Sequence, residues 1–150
     1  PLSLEERLRA IEVPRESADG RCPVWSGLIA GPTKEAVQQA QNANPGIQGW
    51  AMIGGWPLFT ANALKWPAGS IKVVAVDALP AQLSYVKDGY VEALLAQDCY
   101  GWGTKSVEIL LDKIIKNQSP PNVKVIDPLT LVTKENVDSY AENWKKWLKK

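Results

Sequence analysis

Apolar residues fall into two kinds of run along this chain: short continuous stretches, and longer ones with apolar positions three and four apart. The continuous stretches are Gln48 to Ile53, Ile71 to Val76 and Val91 to Ala96. Short apolar runs bounded by glycine or proline predict buried strands. Helical segments separate them. Thr33 precedes KEAVQQAQNA, which stops near Asn44-Pro45 because the residue before a proline leaves the helical region. Pro57 opens a helix to about Lys65, and Pro80 sits in the first turn of another. A Lys87-Asp88-Gly89 turn follows. A long amphipathic helix runs from about Gly101 to Asn117, with Val107, Leu110, Leu111, Ile114 and Ile115 on one face. Beyond the Ser119-Pro120-Pro121 linker, Val123 to Ile126 and Leu129 to Thr133 are short extended pieces. Glu135 to Leu148 is a final helix carrying Trp144 and Trp147.

The first third of the chain is less regular. Ser3 as an N-cap with Glu6 three residues on predicts a helix from about Leu4 to Ile11. Residues 13–32 are rich in proline and glycine; within them Val24 to Ala30 could be a strand broken by Gly27. Opening directly on a helix suggests that something precedes this segment in a longer parent. The alternation of strand and helix predicts a three-layer α/β/α open, mostly parallel sheet. At 150 residues, one domain is expected.

Composition narrows the chemistry. A net charge of +1 argues against a nucleic-acid binder that depends on a basic surface. The C-terminal lysines Lys145, Lys146, Lys149 and Lys150 read as a solvated helix end. The chain has no histidine, which removes Ser-His-Asp and Cys-His nucleophiles and His-rich zinc sites. Cys22 and Cys99 are too few and too far apart for a readable metal site, and read as two free or buried thiols. Neither Gly54-Gly55 nor Gly101-Trp102-Gly103 matches a nucleotide loop. No cofactor and no metal are expected. No apolar run is long enough for a membrane span, and no signal peptide is recognisable.

Three residues stand where an open α/β sheet binds ligands, at the carboxyl ends of its strands. Asp77 ends the Ile71 strand and could accept hydrogen bonds from ligand hydroxyls, or cap the helix that follows. Gln97 ends the Val91 strand as an amide contact, or as a plain polar edge residue. Trp56 follows Gly54-Gly55 and could stack on a sugar face; Trp66 and Trp102 are weaker candidates. The two glycines could let a ligand approach the backbone, or form an ordinary turn.

The order VVAVDALPAQLSYVKDGYVEALLAQDCYGWGTKSVEILLDKI, then VIDPLTLVTKEN, resembles the C-terminal part of type I periplasmic sugar-binding proteins. These are the ribose-binding-protein-like branch, related to effector domains of LacI-type repressors. Asp77, Pro80, Gly89, Gln97 and Gly103 carry the resemblance, with NPGIQGWAMIGGWPLFTANALKW before them. Arg7 in LEERLRAI resembles a family arginine, although Ala10-Ile11 replaces the usual Gly-Phe. Residues 13–32 depart from the pattern, which expects a clean strand there.

The resemblance implies one lobe, residues 1–150, of a two-lobed protein that closes on its ligand by hinge bending. Residues 101–150 would include elements that pack on or cross to the other lobe. It implies sugar contacts from Asp77, Gln97, Arg7 and Trp56, no catalysis, a periplasmic or extracellular location, and an ABC transporter permease as partner. The helix 101–117 would need a new dock for its apolar face, or a homodimer that buries it. Three other readings stand beside this one: the effector domain of a LacI-type regulator, a small α/β enzyme, and a structural fragment without binding activity.

Overall fold

The computed structural model describes residues 33–148, which lie in one compact unit of the chain, Pro32–Lys150. The expected helix over Leu4 to Ile11, the strand over Val24 to Ala30, Arg7 and Cys22 fall outside the described residues. In chain order the elements are α1 (Thr33–Ala43), β1 (Gly49–Met52), a 3-10 turn (Trp56–Phe59), β2 (Lys72–Val76), α2 (Pro80–Lys87), β3 (Ala93–Ala96), α3 (Cys99–Lys116), β4 (Thr130–Thr133) and α4 (Val137–Trp147).

The four strands form one sheet in sequence order. β1 and β2 pair in parallel from Gly49↔Lys72 to Met52↔Ala75, and β2 and β3 in parallel from Val74↔Ala93 to Val76↔Leu95. β4 closes the order antiparallel to β3, with Leu95 opposite Leu131. This is the open, mostly parallel α/β sheet that the alternation of elements predicts. All three parallel strands therefore end at the same edge.

Strand periodicity places Met52, Val73, Ala75, Leu94, Ala96 and Val132 in the core. Val37 of α1, Leu83 and Val86 of α2, and Val137 of α4 complete it. Each large side chain withdrawn this way contributes about 1.5–3 kcal/mol. The alternate positions Ala51, Val74, Leu95 and Leu131 are exposed. The apolar runs that predict fully buried strands are thus buried on one face among the described residues.

Two expectations fail locally. The helix from Pro57 to Lys65 is only the 3-10 turn. Thr60 is extended, and Asn62 takes a positive φ of 58°. The buried Tyr85 decides this: its hydroxyl donates to the Thr60 carbonyl and accepts from the Ala63 N–H at 2.9 Å. Those backbone groups are then unavailable to a helix. Val123 to Ile126 forms no strand either, and its apolar side chains are exposed. No described strand pairs with it, and an unpaired extended segment has no ladder to define it.

Candidate functional site

Asp77 sits at the carboxyl end of β2 with φ = 71°. That left-handed conformation costs an ordinary L-residue about 1–2 kcal/mol, and aspartate is among the few that tolerate it. It persists where several neighbouring groups are tied down. The Asp77 N–H donates to the Leu95 carbonyl at 2.9 Å, continuing the β2–β3 ladder. Its carboxylate accepts the Gly55 N–H at 3.3 Å, from the loop after β1. The Ala78 carbonyl accepts Trp144 Nε1 of α4 at 2.8 Å.

Gln82 of α2 is completely buried and holds the other side of the turn. Its Nε2 donates to the Val76 carbonyl at 3.2 Å, and its Oε1 accepts the Leu79 N–H at 2.8 Å. Leu79, not Asp77, is therefore the N-cap position of α2. The capping alternative for Asp77 is thereby removed, and one of the roughly four acceptor sites of its carboxylate is spent on Gly55. Neither Gln82 nor Trp144 was singled out by sequence. The one available signal was the Leu79–Gln82 spacing, which fits an N3 glutamine reaching back to the first turn.

The Gly54-Gly55 pair is explained by packing. A Cβ on Gly54 would lie 2.3 Å from the Trp56 ring, and one on Gly55 would lie 2.3 Å from Gln82 Nε2 and 2.7 Å from the Val76 carbonyl oxygen. The glycines thus admit Trp56 and Gln82 close to the chain, where sequence alone left a ligand or a simple turn. Trp56 starts the 3-10 turn and is 60% exposed, so much of its indole faces solvent beside Asp77's loop partner.

Gln97 follows β3 on the same edge, two residues beyond the carbonyl that receives the Asp77 N–H. It is half-buried and lines a cleft of about 260 Å³ with Lys105, Asp127, Thr130, Tyr140 and Trp147. Asp77 and Trp56 do not line that cleft. The structure therefore joins Asp77 to the Gly54-Gly55-Trp56 loop by a direct bond, and places Gln97 on the neighbouring strand beside a separate cleft. Arg7 lies outside the described residues.

Asp98 caps α3, its carboxylate accepting the Gly101 N–H at 2.8 Å. Lys105 pairs with Asp127 and lies 3.8 Å from Asp98. The hydrogen bond to Asp127 raises the Lys105 pKa, with the charges of Asp127 and Asp98 adding to it. Burial raises the Tyr140 pKa, and the nearby Cys99 and Asp98 add to that. Trp147 stacks on Tyr100 at 5.7 Å between ring centroids and meets Tyr140 edge-on at 6.2 Å. Cys99 is a free, exposed thiol. Among the described residues no group of three acidic, cysteine or histidine side chains could hold a metal ion, and no helix is long and apolar enough to cross a membrane.

This edge offers acceptors, an amide and an indole face, which suits a neutral polyhydroxy ligand. Solved structures share the fold. An ABC transporter solute-binding protein from Burkholderia graminis, in complex with D-arabinose, matches at TM-score 0.69 and 25% identity, covering 91% of this chain and 50% of that one. One from Agrobacterium vitis, bound with α-D-tagatopyranose, matches at TM-score 0.73 and 23% identity, covering 91% and 47%. A LacI-type transcriptional regulator from Bacteroides fragilis matches at TM-score 0.59 and 21% identity, covering 71% and 37%. The chain thus spans about half the length of the first two proteins. No curated protein matches it in sequence. The pattern of the periplasmic binding protein domain matches residues 20–118, more than half of the chain, and the chain belongs to that family.

Proposed function

We propose that this chain binds a monosaccharide, without catalysis, as the solute-binding component of an ABC importer or as the C-terminal lobe of one. The observation that carries the reading is Asp77, held in a left-handed turn at the carboxyl edge with one carboxylate oxygen bonded to Gly55. The remaining lone pairs suit sugar hydroxyls, since charge-assisted hydrogen bonds are the strong ones. Trp56 supplies a stacking face, Gln97 an amide on the adjacent strand, and Arg7 a cation. The sugar complexes of similar proteins support this choice of ligand. Periplasmic or extracellular location and a permease partner follow from the same reading.

In a two-lobed protein, α3 and the stretch after it would cross to the other lobe. Where the chain stands alone, we infer a homodimer that uses the apolar face of residues 101–117. Its support is that α3 contains no buried residue.

The test is tryptophan fluorescence of the purified chain titrated with a panel of pentoses and hexoses. A saturable change specific to one sugar, weakened about 10-fold or more by Gln97→Ala and by Asp77→Ala, is the expected result. No response to any sugar, in a chain that is folded by circular dichroism, would leave a lobe without binding activity.

A further inference from the structure

The ladder between β2 and β3 holds their backbones together as far as the bond from the Asp77 N–H to the Leu95 carbonyl. Past that bond the two segments part. One turns through Ala78 and Leu79 into α2, and the other runs through Gln97 and Asp98 into α3. Asp77 and Gln97 thus stand on separate turns. Each turn is braced locally. Gln82 holds the first through the Val76 carbonyl and the Leu79 N–H. Asp98 holds the second: its carboxylate accepts the Gly101 N–H at 2.8 Å, while the Cys99 N–H donates to the Gln97 carbonyl at 2.9 Å. Neither brace reaches from one turn to the other.

Side chains of α4 do. The helix is anchored by the buried Val137. Tyr140, Trp144 and Trp147 follow at spacings of four and three, which places them on one helical face. Trp144 Nε1 donates to the Ala78 carbonyl at 2.8 Å, in the Asp77 turn. The Trp144 ring meets Trp147 edge-on, with centroids 5.2 Å apart. Trp147 stacks on Tyr100 at 5.7 Å, the ring planes 9° apart. Tyr100 lies in the first turn of α3, directly after the Gln97 turn. Trp147 also borders the same cleft as Gln97. A continuous path therefore runs from Ala78 through Trp144 and Trp147 to Tyr100. Trp147 is not part of the core, and its ring contacts are to Tyr100, Tyr140 and Trp144.

We propose that Trp147 is a positioning residue, which locks the Gln97 turn to the Asp77 turn through Tyr100 and Trp144. Acceptor and amide are then presented to a ligand at a fixed separation. The choice of a sugar as that ligand rests on the reading above; the coupling of the two turns does not. Fixing both contacts beforehand lowers the ordering cost of binding, so affinity rises without any ligand contact to Trp147. Stacked and edge-on aromatic pairs are strong enough to shift a local opening equilibrium about 3- to 10-fold.

The experiment is amide hydrogen exchange read by NMR at Leu79, Gly101 and Glu92, joined to calorimetric titration with the sugar that the fluorescence panel selects. Tyr100→Ala should speed exchange about 3- to 10-fold at Gly101 and also at Leu79, which lies on the other turn. The Glu92 N–H, bonded to the Val73 carbonyl at the far end of the same strands, should not change. Trp147→Ala should act in the same way, and Trp147→Phe should largely restore both rates. If Trp147→Ala does not fold, Tyr100→Ala carries the test, because Tyr100 is 58% exposed. Sugar affinity should fall about 3- to 10-fold in Tyr100→Ala and Trp147→Ala, and Trp147→Ala should add little in a Gln97→Ala background. Faster exchange at Gly101 with Leu79 unchanged overturns the coupling, whether or not a sugar binds. Faster exchange at both with unchanged affinity overturns the positioning role and leaves a structural brace. A wild-type chain that binds no sugar overturns the sugar reading alone, and exchange at Leu79 still decides the coupling.

Discussion

The carboxylate of Asp77 accepts the N–H of Gly55 at 3.3 Å, tying the end of β2 to the loop that leaves β1. The contact spans 22 residues of sequence. It couples the one strained aspartate of the edge to the loop that carries Trp56.

Asp77→Ala should therefore destabilise the fold as well as remove a ligand contact. The left-handed backbone and the lost charge-assisted bond together are worth about 2 kcal/mol. Asp77→Gly should cost less, because glycine accepts φ = 71° without strain. Urea unfolding of both variants measures the difference. Equal losses would show that the turn is not strained.

Gln82→Leu should cost about 1–3 kcal/mol despite its apolar gain, since the Val76 carbonyl and Leu79 N–H lose their partner. Gly55→Ala should be at least as damaging, with its Cβ driven against Gln82 and the Val76 carbonyl. If Gly55→Ala combined with Gln82→Ala recovers stability over Gly55→Ala alone, the clash with the glutamine is its cause.

Trp144→Phe keeps most of the apolar contact and removes the bond to the Ala78 carbonyl, at a cost of about 1 kcal/mol. The change should also loosen the Asp77 turn. Faster amide exchange at Ala78 and Leu79 is the expected signature, and unchanged exchange there would separate α4 from the site.

Stability should fall in alkali. The Lys105 pKa is raised above 10.5 by Asp127, so the stabilisation is complete below 10.5 and is lost as pH rises through the raised value. Burial raises the Tyr140 pKa above 10.0, and the unfolded chain then releases that proton first, which again favours unfolding as pH rises. Urea midpoints at pH 9, 10 and 11 should decline, and Tyr140→Phe should flatten part of that decline.

Much of this edge was legible in the residues. The apolar runs ending in Asp77 and Gln97 placed both at carboxyl ends of parallel strands, because strand length and proline-opened helices are local properties. The Pro57 helix failed because the Tyr85 hydroxyl, 25 residues away from Thr60, claims the backbone groups that a helix would use. Gly54-Gly55 was noticed, but its cause was not. The Trp56 ring and the Gln82 amide that fill the space beside it arrive only on folding.

By itself the sequence determined the order of strands and helices, the parallel direction of β1 to β3, and which residues reach the carboxyl edge. Periodicity and turn chemistry act over a few residues and need no tertiary partner. Only the tertiary structure decided that Asp77 bonds to Gly55 and not to the start of α2, that Gln97 borders a different cleft, and that the apolar side chains of α3 are left exposed among the described residues. Those outcomes depend on which distant groups meet, and on how many remain uncovered once the core has closed.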